Sequence, residues 1–564
     1  MYDDIYSLYG PLYNGVYGLV FVVLHVPLTH TTGRLIAAAL WLTYTAGFAV
    51  FCQRLTSSMA VMLFGYVLVL IWLAELMESP GHPEELCLLL LAAVLLLACS
   101  IERAAGAANL AGVGAAVAAL ALVKINVGVY VGGGLVLVLL RVTAPTAWTR
   151  IAIPILTITL LLLPFAVEAL LFDFRWARLY SLFSALSIAA ALFGFVNTPP
   201  QGILRAADWR FIALGAGLTC LIVIGGMMLA GSSAYAILNA TLLQNTHFIR
   251  NWNIPLSVGR KGLLAAAASV LASLAYRASG SWSRMQCYCD IGVVTLKSGF
   301  VLLGVSMLLF ASPEQVFQIL VPFCWLLVVQ PAGIRPQHAV GRGVAGLIGA
   351  ILSLYPFPVA GHQIRIGTLL PVMIVPILAH DLLKASPERK VGRHLRALFH
   401  SSPVAVAVVL AIGAVATLRS ARAYLHGEPL GLPGTSLIRV PASRADDLRW
   451  VAAQLSACPS SYTVPGMWSF TLWAHHALPT ALNINDVLAF IQAPQQEEIV
   501  RTLSRLPNLC VVYNPRLLQF FDRGQIETDP PLLHYVETRL VPVARHHDYI
   551  ILKQPASTAQ PGAD

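Results

Sequence analysis

Charge is what this chain has least of. Asp, Glu, Lys and Arg make up only 11% of its 564 residues, whereas a soluble globular chain carries about a quarter. That scarcity excludes an ordinary water-soluble fold, because too few ionised groups remain to cover a core of this size. Also missing are the alternating segments of about 10 residues that mark a transmembrane β-barrel. No Walker loop, dinucleotide fingerprint or nucleophile elbow occurs in a strand–turn–helix setting, so soluble nucleotide cofactors are not implied. The nine cysteines show no metal-ligand spacing. Internal repeats are lacking, as are the inverted, Gly/Pro-broken half-helices that point to a transporter.

What the chain does have is long apolar sequence. It is 57% hydrophobic, with a mean hydropathy of +0.74. Runs of roughly 20 residues, each enough for one helical bilayer crossing, recur from Arg34 to about Leu418. The expected spans are 34–53, 58–77, 86–102, 109–123, 127–140, 151–172, 179–196, 211–229, 262–275, 291–310, 315–329, 344–355, 366–383 and 403–418. Several are marginal in length, which brackets the count at about 10–14 transmembrane helices. The shorter stretch 14–28 reads as an amphipathic helix lying along the interface.

The net charge of +10 follows the loops. With the first residues outside, the inside loops hold Arg54, Arg103, Arg141 with Arg150, Arg205 with Arg210, Arg277 with Arg284, Arg335 with Arg342, and the run 384–396. The outside loops are the acidic 78–85, then 231–259, 311–315 and 357–365, with Arg175, Arg178, Arg260 and Lys261 as exceptions. That is the positive-inside distribution of a multi-pass membrane protein. No basic stripe interleaved with aromatics supports a nucleic-acid partner.

From about His426 charges of both signs return, and short β-like runs alternate with amphipathic helical ones. The chain therefore divides into an N-terminal loop and interfacial helix (1–32), a polytopic body (33–420), a small α/β domain (421–555) and a disordered tail (556–564). On the loop count, the N-terminal loop and the α/β domain share the extracytoplasmic side. There Cys458 and Cys510 are able to pair.

The stretch with most chemistry is the first, MYDDIYSLYGPLY. Asp3 and Asp4 stand beside Tyr6, Tyr9, a Gly10–Pro11 turn and Tyr13. A carboxylate held at a membrane surface and partly shielded by aromatics suits general-base work on a hydroxyl; a solvated acidic terminus is the alternative. Elsewhere, Lys124 is an ammonium in an apolar setting, so it must reach an interface, pair, or serve function. Arg250 can grip a phosphate with its fork and Trp252 can stack on a sugar, next to His247; an interfacial belt beside a basic anchor is the plainer reading. His362, Gln363 and Arg365 lie in another outside loop as candidates for phosphate or acceptor binding. Glu168 reads as an intramembrane acid, functional or paired with Arg175 or Arg178. The tail pairs His475–His476 and His546–His547 are read as solvated, since neighbours on a strand or helix point apart; metal binding is the alternative. Tyr462, Trp468 and Trp473 read as core, with an acceptor-binding face of the domain as the alternative. No metal ligands are assigned; a divalent cation, Mg or Mn, on Asp3, Asp4 and a glutamate is chemically open but has no spacing to support it.

The segment YDDIYSLYGPLY resembles the first extracytoplasmic loop of bacterial membrane glycosyltransferases of the GT-C fold. Their pattern is approximately Tyr-x-Asp, a short spacer, then Tyr-Gly-Pro-Leu-Tyr. Segments 122–130 (LVKINVGVY) and 355–363 (YPFPVAGHQ) look similar to those of uncharacterised members. The resemblance implies a GT-C-like α-helical polytopic fold in a bacterial inner membrane. It implies a polyprenyl-phosphate sugar donor, and a glycan, lipid or protein acceptor. Asp4, or else Asp3, would be the base, with Tyr9, Lys124, Arg250, His247, Trp252, His362, Gln363 and Arg365 as substrate-binding candidates. Proteins of this fold carry a transmembrane helix before the acidic loop, so one is expected upstream of Met1. Two other readings stay open: a lipid-linked oligosaccharide ligase or polymerase, and a transporter or flippase without enzyme activity.

Overall fold

The computed structural model describes residues 7, 9–103, 105–196, 202–243, 249, 253–279, 286–330, 338–385, 403–482, 488, 491–522 and 530–555. Eight helices among them are long and apolar enough to cross a membrane: His30–Thr56, Pro83–Ile101, Ile125–Val142, Ala147–Leu171, Arg175–Phe195, Ala206–Leu229, Ile291–Phe310 and Gln363–Lys384. Shorter apolar helices, Met59–Trp72, Ala107–Val123 and Ala339–Leu354 among them, pack between these. Side chains start the helices where the sequence offers a cap. Thr29 accepts from the Thr32 amide at 3.1 Å, and Ser58 from the Val61 amide at 3.4 Å. Ser57, in the left-handed conformation, ends the helix His30–Thr56 and turns the chain back.

The helices alternate in direction, which gives the body two ends. We call the end carrying Tyr9 and Gly10 the upper one. His30, Trp72, His82, Lys124 and Arg365 lie at it, while Arg54, Arg103, Arg205 and Lys384 lie at the lower. Lipid offers no hydrophobic drive for helix association, so contact depends on how closely backbones approach. A β-carbon on Gly114 would stand 2.0 Å from the Ile212 carbonyl oxygen, and one on Gly215 would stand 1.9 Å from that of Ala111. Glycine is what lets the helices Ala107–Val123 and Trp209–Leu229 meet there.

Several expected spans are not single helices: 58–77, 151–172 and 344–355 each end in a short 3₁₀ turn, 366–383 is broken between Gly367 and Leu369, and 315–329 changes pitch half-way. Residues 315–329 form the helix Pro313–Leu320 and then a tighter 3₁₀ stretch, Val321–Leu327. Pro322 supplies no amide proton and disfavours continuation of the α-helix, so the chain rewinds with i→i+3 bonds. This stretch is held in the core: Val321, Cys324, Trp325, Leu326 and Leu327 are buried. At the lower end, Arg342 clamps Asp381 with two bonds of 2.7 and 2.9 Å and donates to the carbonyls of Leu327 and Leu55. Lys297 stands 3.6 Å from the same carboxylate, so these buried charges are paired as burial requires.

After the helix Pro403–His426 the small α/β domain begins. Strands β1 (Glu428–Pro429) and β2 (Arg439–Val440) pair antiparallel. Strands β3 (Ser460–Val464), β4 (Leu509–Tyr513), β5 (Val541–His546) and β6 (Tyr549–Lys553) form a sheet of order β3-β4-β6-β5, parallel only between β3 and β4. The Cys458–Cys510 disulfide ties the end of the helix Ala442–Ser456 to β4. The domain rests on the upper end of the body. The Thr31 amide and hydroxyl donate to the Gly434 carbonyl at 2.9 and 3.0 Å, and the His30 and Trp473 rings lie 5.2 Å apart.

Candidate functional site

The sequence His82-Pro83-Glu84-Glu85 builds the centre of the upper end. Proline at the first helical position and acids in the first turn are what a helix N-terminus favours, because its amides are unpaired and its dipole is positive. The expected acidic loop 78–85 therefore ends in a helix. Its last two acids are buried, Glu84 being 1% exposed and Glu85 0%.

A buried carboxylate needs donors, and Glu84 has them. Its Oε1 accepts from Lys124 Nζ at 2.8 Å and from the Tyr355 hydroxyl at 2.7 Å. The Lys124 ammonium also donates to the Tyr355 oxygen at 3.1 Å and lies 4.8 Å from the centre of that ring. Lys124 is the extended residue between the helices Ala107–Val123 and Ile125–Val142, so its side chain leaves the corner of a tight helical hairpin. A β-carbon on Gly128 would stand 2.3 Å from Ala121 Cα, and the glycine permits that corner.

His82 Nδ1 is pressed against the other oxygen, Glu84 Oε2. Burial, then the charge of Lys124 and that of His362, push the His82 imidazole down to about 3, so the ring is neutral near pH 7. On its other side the ring's Nε2 lies 3.3 Å from the Tyr9 hydroxyl, within hydrogen-bond reach.

The N-terminal segment is docked on this centre. The Gly10 amide donates to the Val123 carbonyl at 3.0 Å, next to Lys124. Tyr9, Tyr13 and Tyr17 follow at intervals of four, their ring centres 5.0 and 4.9 Å apart. The Tyr13 hydroxyl donates to the Gly81 carbonyl at 2.6 Å and that of Tyr17 to Glu85 Oε2 at 3.4 Å. Gly81 has a φ of +83°, a turn conformation that favours glycine.

A second cluster adjoins the first. Arg365 Nε bonds Glu75, while its NH1 donates to the Trp72 carbonyl at 3.1 Å and the guanidinium lies 5.3 Å from the Trp72 ring centre. His362 Nδ1 is 3.6 Å from the same glutamate. Gln363 opens the short helix Gln363–Gly367 beside them.

Several expected site residues thus meet at one end: Tyr9, Lys124, His362, Gln363 and Arg365. Asp3, Asp4, His247, Arg250 and Trp252 lie outside the described residues, and so does the cation site suggested for the two aspartates. Just after the second group, Ile254 pairs with the loop holding His362: its amide donates to the Pro358 carbonyl at 3.0 Å, and its own carbonyl accepts from Ala360. Glu168 is buried, but its partner is the Ser181 hydroxyl at 2.8 Å and not Arg175 or Arg178. His82, Glu84 and Tyr355 were not expected; the Pro-Glu-Glu start of an apolar run was the available signal for the first two.

No protein-family model and no curated protein matches this chain. The site therefore has to be argued from its own chemistry. It offers one imidazole beside a tyrosine hydroxyl, and two cations, Lys124 and Arg365, each paired with one carboxylate. Among the described residues the one group of side chains placed to hold a metal ion lies in the α/β domain and not among these helix ends.

Proposed function

We propose that this chain is a polytopic glycosyltransferase of the GT-C kind, seated in a bacterial inner membrane with its upper end in the periplasm. The observation that carries the reading is the docking of Tyr9 and Gly10 against Val123 and His82. Asp4 precedes Gly10 by six residues, and six residues of extended chain reach at most about 20 Å. That reach from Gly10 is compatible with Asp4 acting at the end that holds Lys124, Glu84 and Arg365. The clustering of Arg54, Arg103, Arg205 and Lys384 at the opposite end supports the orientation.

In the reaction, a sugar held on a polyprenyl phosphate is met at the interface by an acceptor hydroxyl of a glycan, lipid or protein. Asp4, or Asp3, takes the hydroxyl proton as the oxygen attacks the anomeric carbon. The bond from that carbon to the phosphate oxygen breaks, polyprenyl phosphate leaves, and the anomeric configuration inverts. Charge accumulates on the departing phosphate, which is where Lys124, Arg365 and Arg250 are of use. Tyr9, His362 and Gln363, which meet at the upper end, are proposed as substrate-binding side chains, together with His247 and Trp252.

The test is transfer from a defined polyprenyl-phosphate sugar by purified variants. Asp4→Asn is expected to lower the rate by about 10²- to 10⁴-fold, the usual contribution of a positioned base. Melting and membrane insertion should be unchanged. Transfer at the parental rate by the Asp3→Asn, Asp4→Asn double variant would reject the assignment.

A further inference from the structure

The β5–β6 hairpin makes the two neighbouring histidines converge. His546 closes β5, His547 occupies the turn with a φ of +48°, and Tyr549 pairs back to His546. The left-handed turn residue breaks the alternation that would send the rings to opposite faces, and their centres lie 4.2 Å apart. Both reach one carboxylate oxygen on the neighbouring helix Ala442–Ser456. Asp447 Oδ1 is 3.4 Å from His546 Nε2 and 2.6 Å from His547 Nδ1. The expectation that the two rings point apart is corrected by this turn, while His547 is exposed as expected.

We propose that Asp447, His546 and His547 are a binding site for a zinc-class divalent cation. All three ligand atoms lie within 4.8 Å of one another. Ligands about 2.0–2.1 Å from a tetrahedral ion stand roughly 3.3–3.4 Å apart. The Asp447–His546 pair is already at that spacing. The shorter Asp447–His547 distance is a hydrogen bond whose proton the cation replaces, and the pair opens by roughly 0.8 Å to admit it. The turn makes that opening cheap, since the His547 side chain is 64% exposed and the Asp447 side chain only 16%.

A second observation concerns His546. Its Nε2 is buried and makes no hydrogen bond, although it faces the carboxylate. The ring is held there by stacking on Trp450, 5.1 Å away and nearly parallel at 23°. Trp450 follows Asp447 by three residues on the same helix face, so one helix supplies both a ligand and the clamp that orients another. Two imidazoles and a carboxylate with one position left for water are a borderline donor set, suited to zinc and too nitrogen-rich for calcium or magnesium. Bound there, the cation would pin the edge hairpin to the helix, and the site holds whatever reaction the membrane body performs.

The experiment uses the full chain in detergent, stripped with a chelator and titrated with Zn²⁺ against a competing indicator. The parent is expected to bind one equivalent more than Asp447→Ala or His546→Ala, whose affinity at this site falls about 10- to 100-fold or more. Cobalt(II) should give the intense visible absorption of a four-coordinate ion in the parent and lose it in the variants. His547→Ala, at an exposed turn, guards against misfolding as the cause and should behave as the other two. Equal stoichiometry and affinity in the parent and all three variants would show a hydrogen-bonded cluster and overturn the site.

Discussion

A carboxylate without water must find its counter-charge in the protein, and at Glu84 the burden falls mainly on Lys124. Tyr355 contributes a neutral donor and His82 a neutral ring, so neither replaces an ammonium. Removing one partner of a buried pair costs about 3–5 kcal/mol, because the other charge stays behind. The Lys124 side chain is 22% exposed, which places Lys124→Met toward the lower part of that range. Melting of the detergent-solubilised protein should fall accordingly, and adding Glu84→Gln should recover most of the loss. A Lys124→Met protein that melts like the parent would show that the pair carries no such burden. Lys124 could be singled out from sequence, since an isolated cation in apolar surroundings demands an explanation. Its partner was passed over: 78–85 reads as a hydrophilic loop, and although Pro-Glu-Glu ahead of an apolar run signals a helix start, the burial of its two acids is seen only in the fold. The histidines of the α/β domain failed differently, because a single left-handed residue undid a rule about alternation.

At the scale of elements, apolar run length placed the helices well, because the bilayer thickness that sets the runs also sets the helices. Run length does not report pitch. In 321–327 every residue is apolar and all but Phe323 are buried, so no periodicity distinguishes an α-helix from the 3₁₀ turn that Pro322 imposes. Nor does it report where two backbones touch. Gly10 has an ordinary φ of −70°, so its value lies in closeness: a β-carbon there would stand 2.1 Å from the Leu122 carbonyl oxygen. Gly10→Ala should therefore push the Tyr9 segment off the helical hairpin and break its bond to Val123. Overpacking of this kind costs about 1–3 kcal/mol, or roughly a 5- to 150-fold loss of the docked, active arrangement at 1.4 kcal/mol per decade. Sugar transfer is the readout. Gly18→Ala is the control, because nothing lies within 4 Å of a β-carbon there and alanine favours the helix. Equal transfer by both variants would mean that the docking does not matter to the reaction.

The whole molecule has a polarity that neither scale contains. The tyrosine-faced segment, the Glu84 and Glu75 clusters and the α/β domain share the upper end, joined through Thr31, Gly434, His30 and Trp473. The lower end holds Arg54 bonded to Ser100, Arg103 bonded to His338, and Lys384 near the Thr56 carbonyl. Counting Lys and Arg along the sequence had already grouped the residues that the fold brings to the lower end. Contacts that join residues some four hundred positions apart were invisible to that count. A disulfide between Cys458 and Cys510 fits an oxidising compartment above the membrane. The two ends should therefore label differently in a background cleared of other free thiols. An impermeant maleimide is expected to reach Leu478→Cys, 46% exposed in the α/β domain, from outside the inner membrane. It should reach Arg205→Cys, whose side chain is 83% exposed at the lower end, only after that membrane is breached. The reverse pattern would put the acidic segment in the cytoplasm, away from any acceptor in the periplasm. The glycosyltransferase reading would fall even if every contact described above were correct.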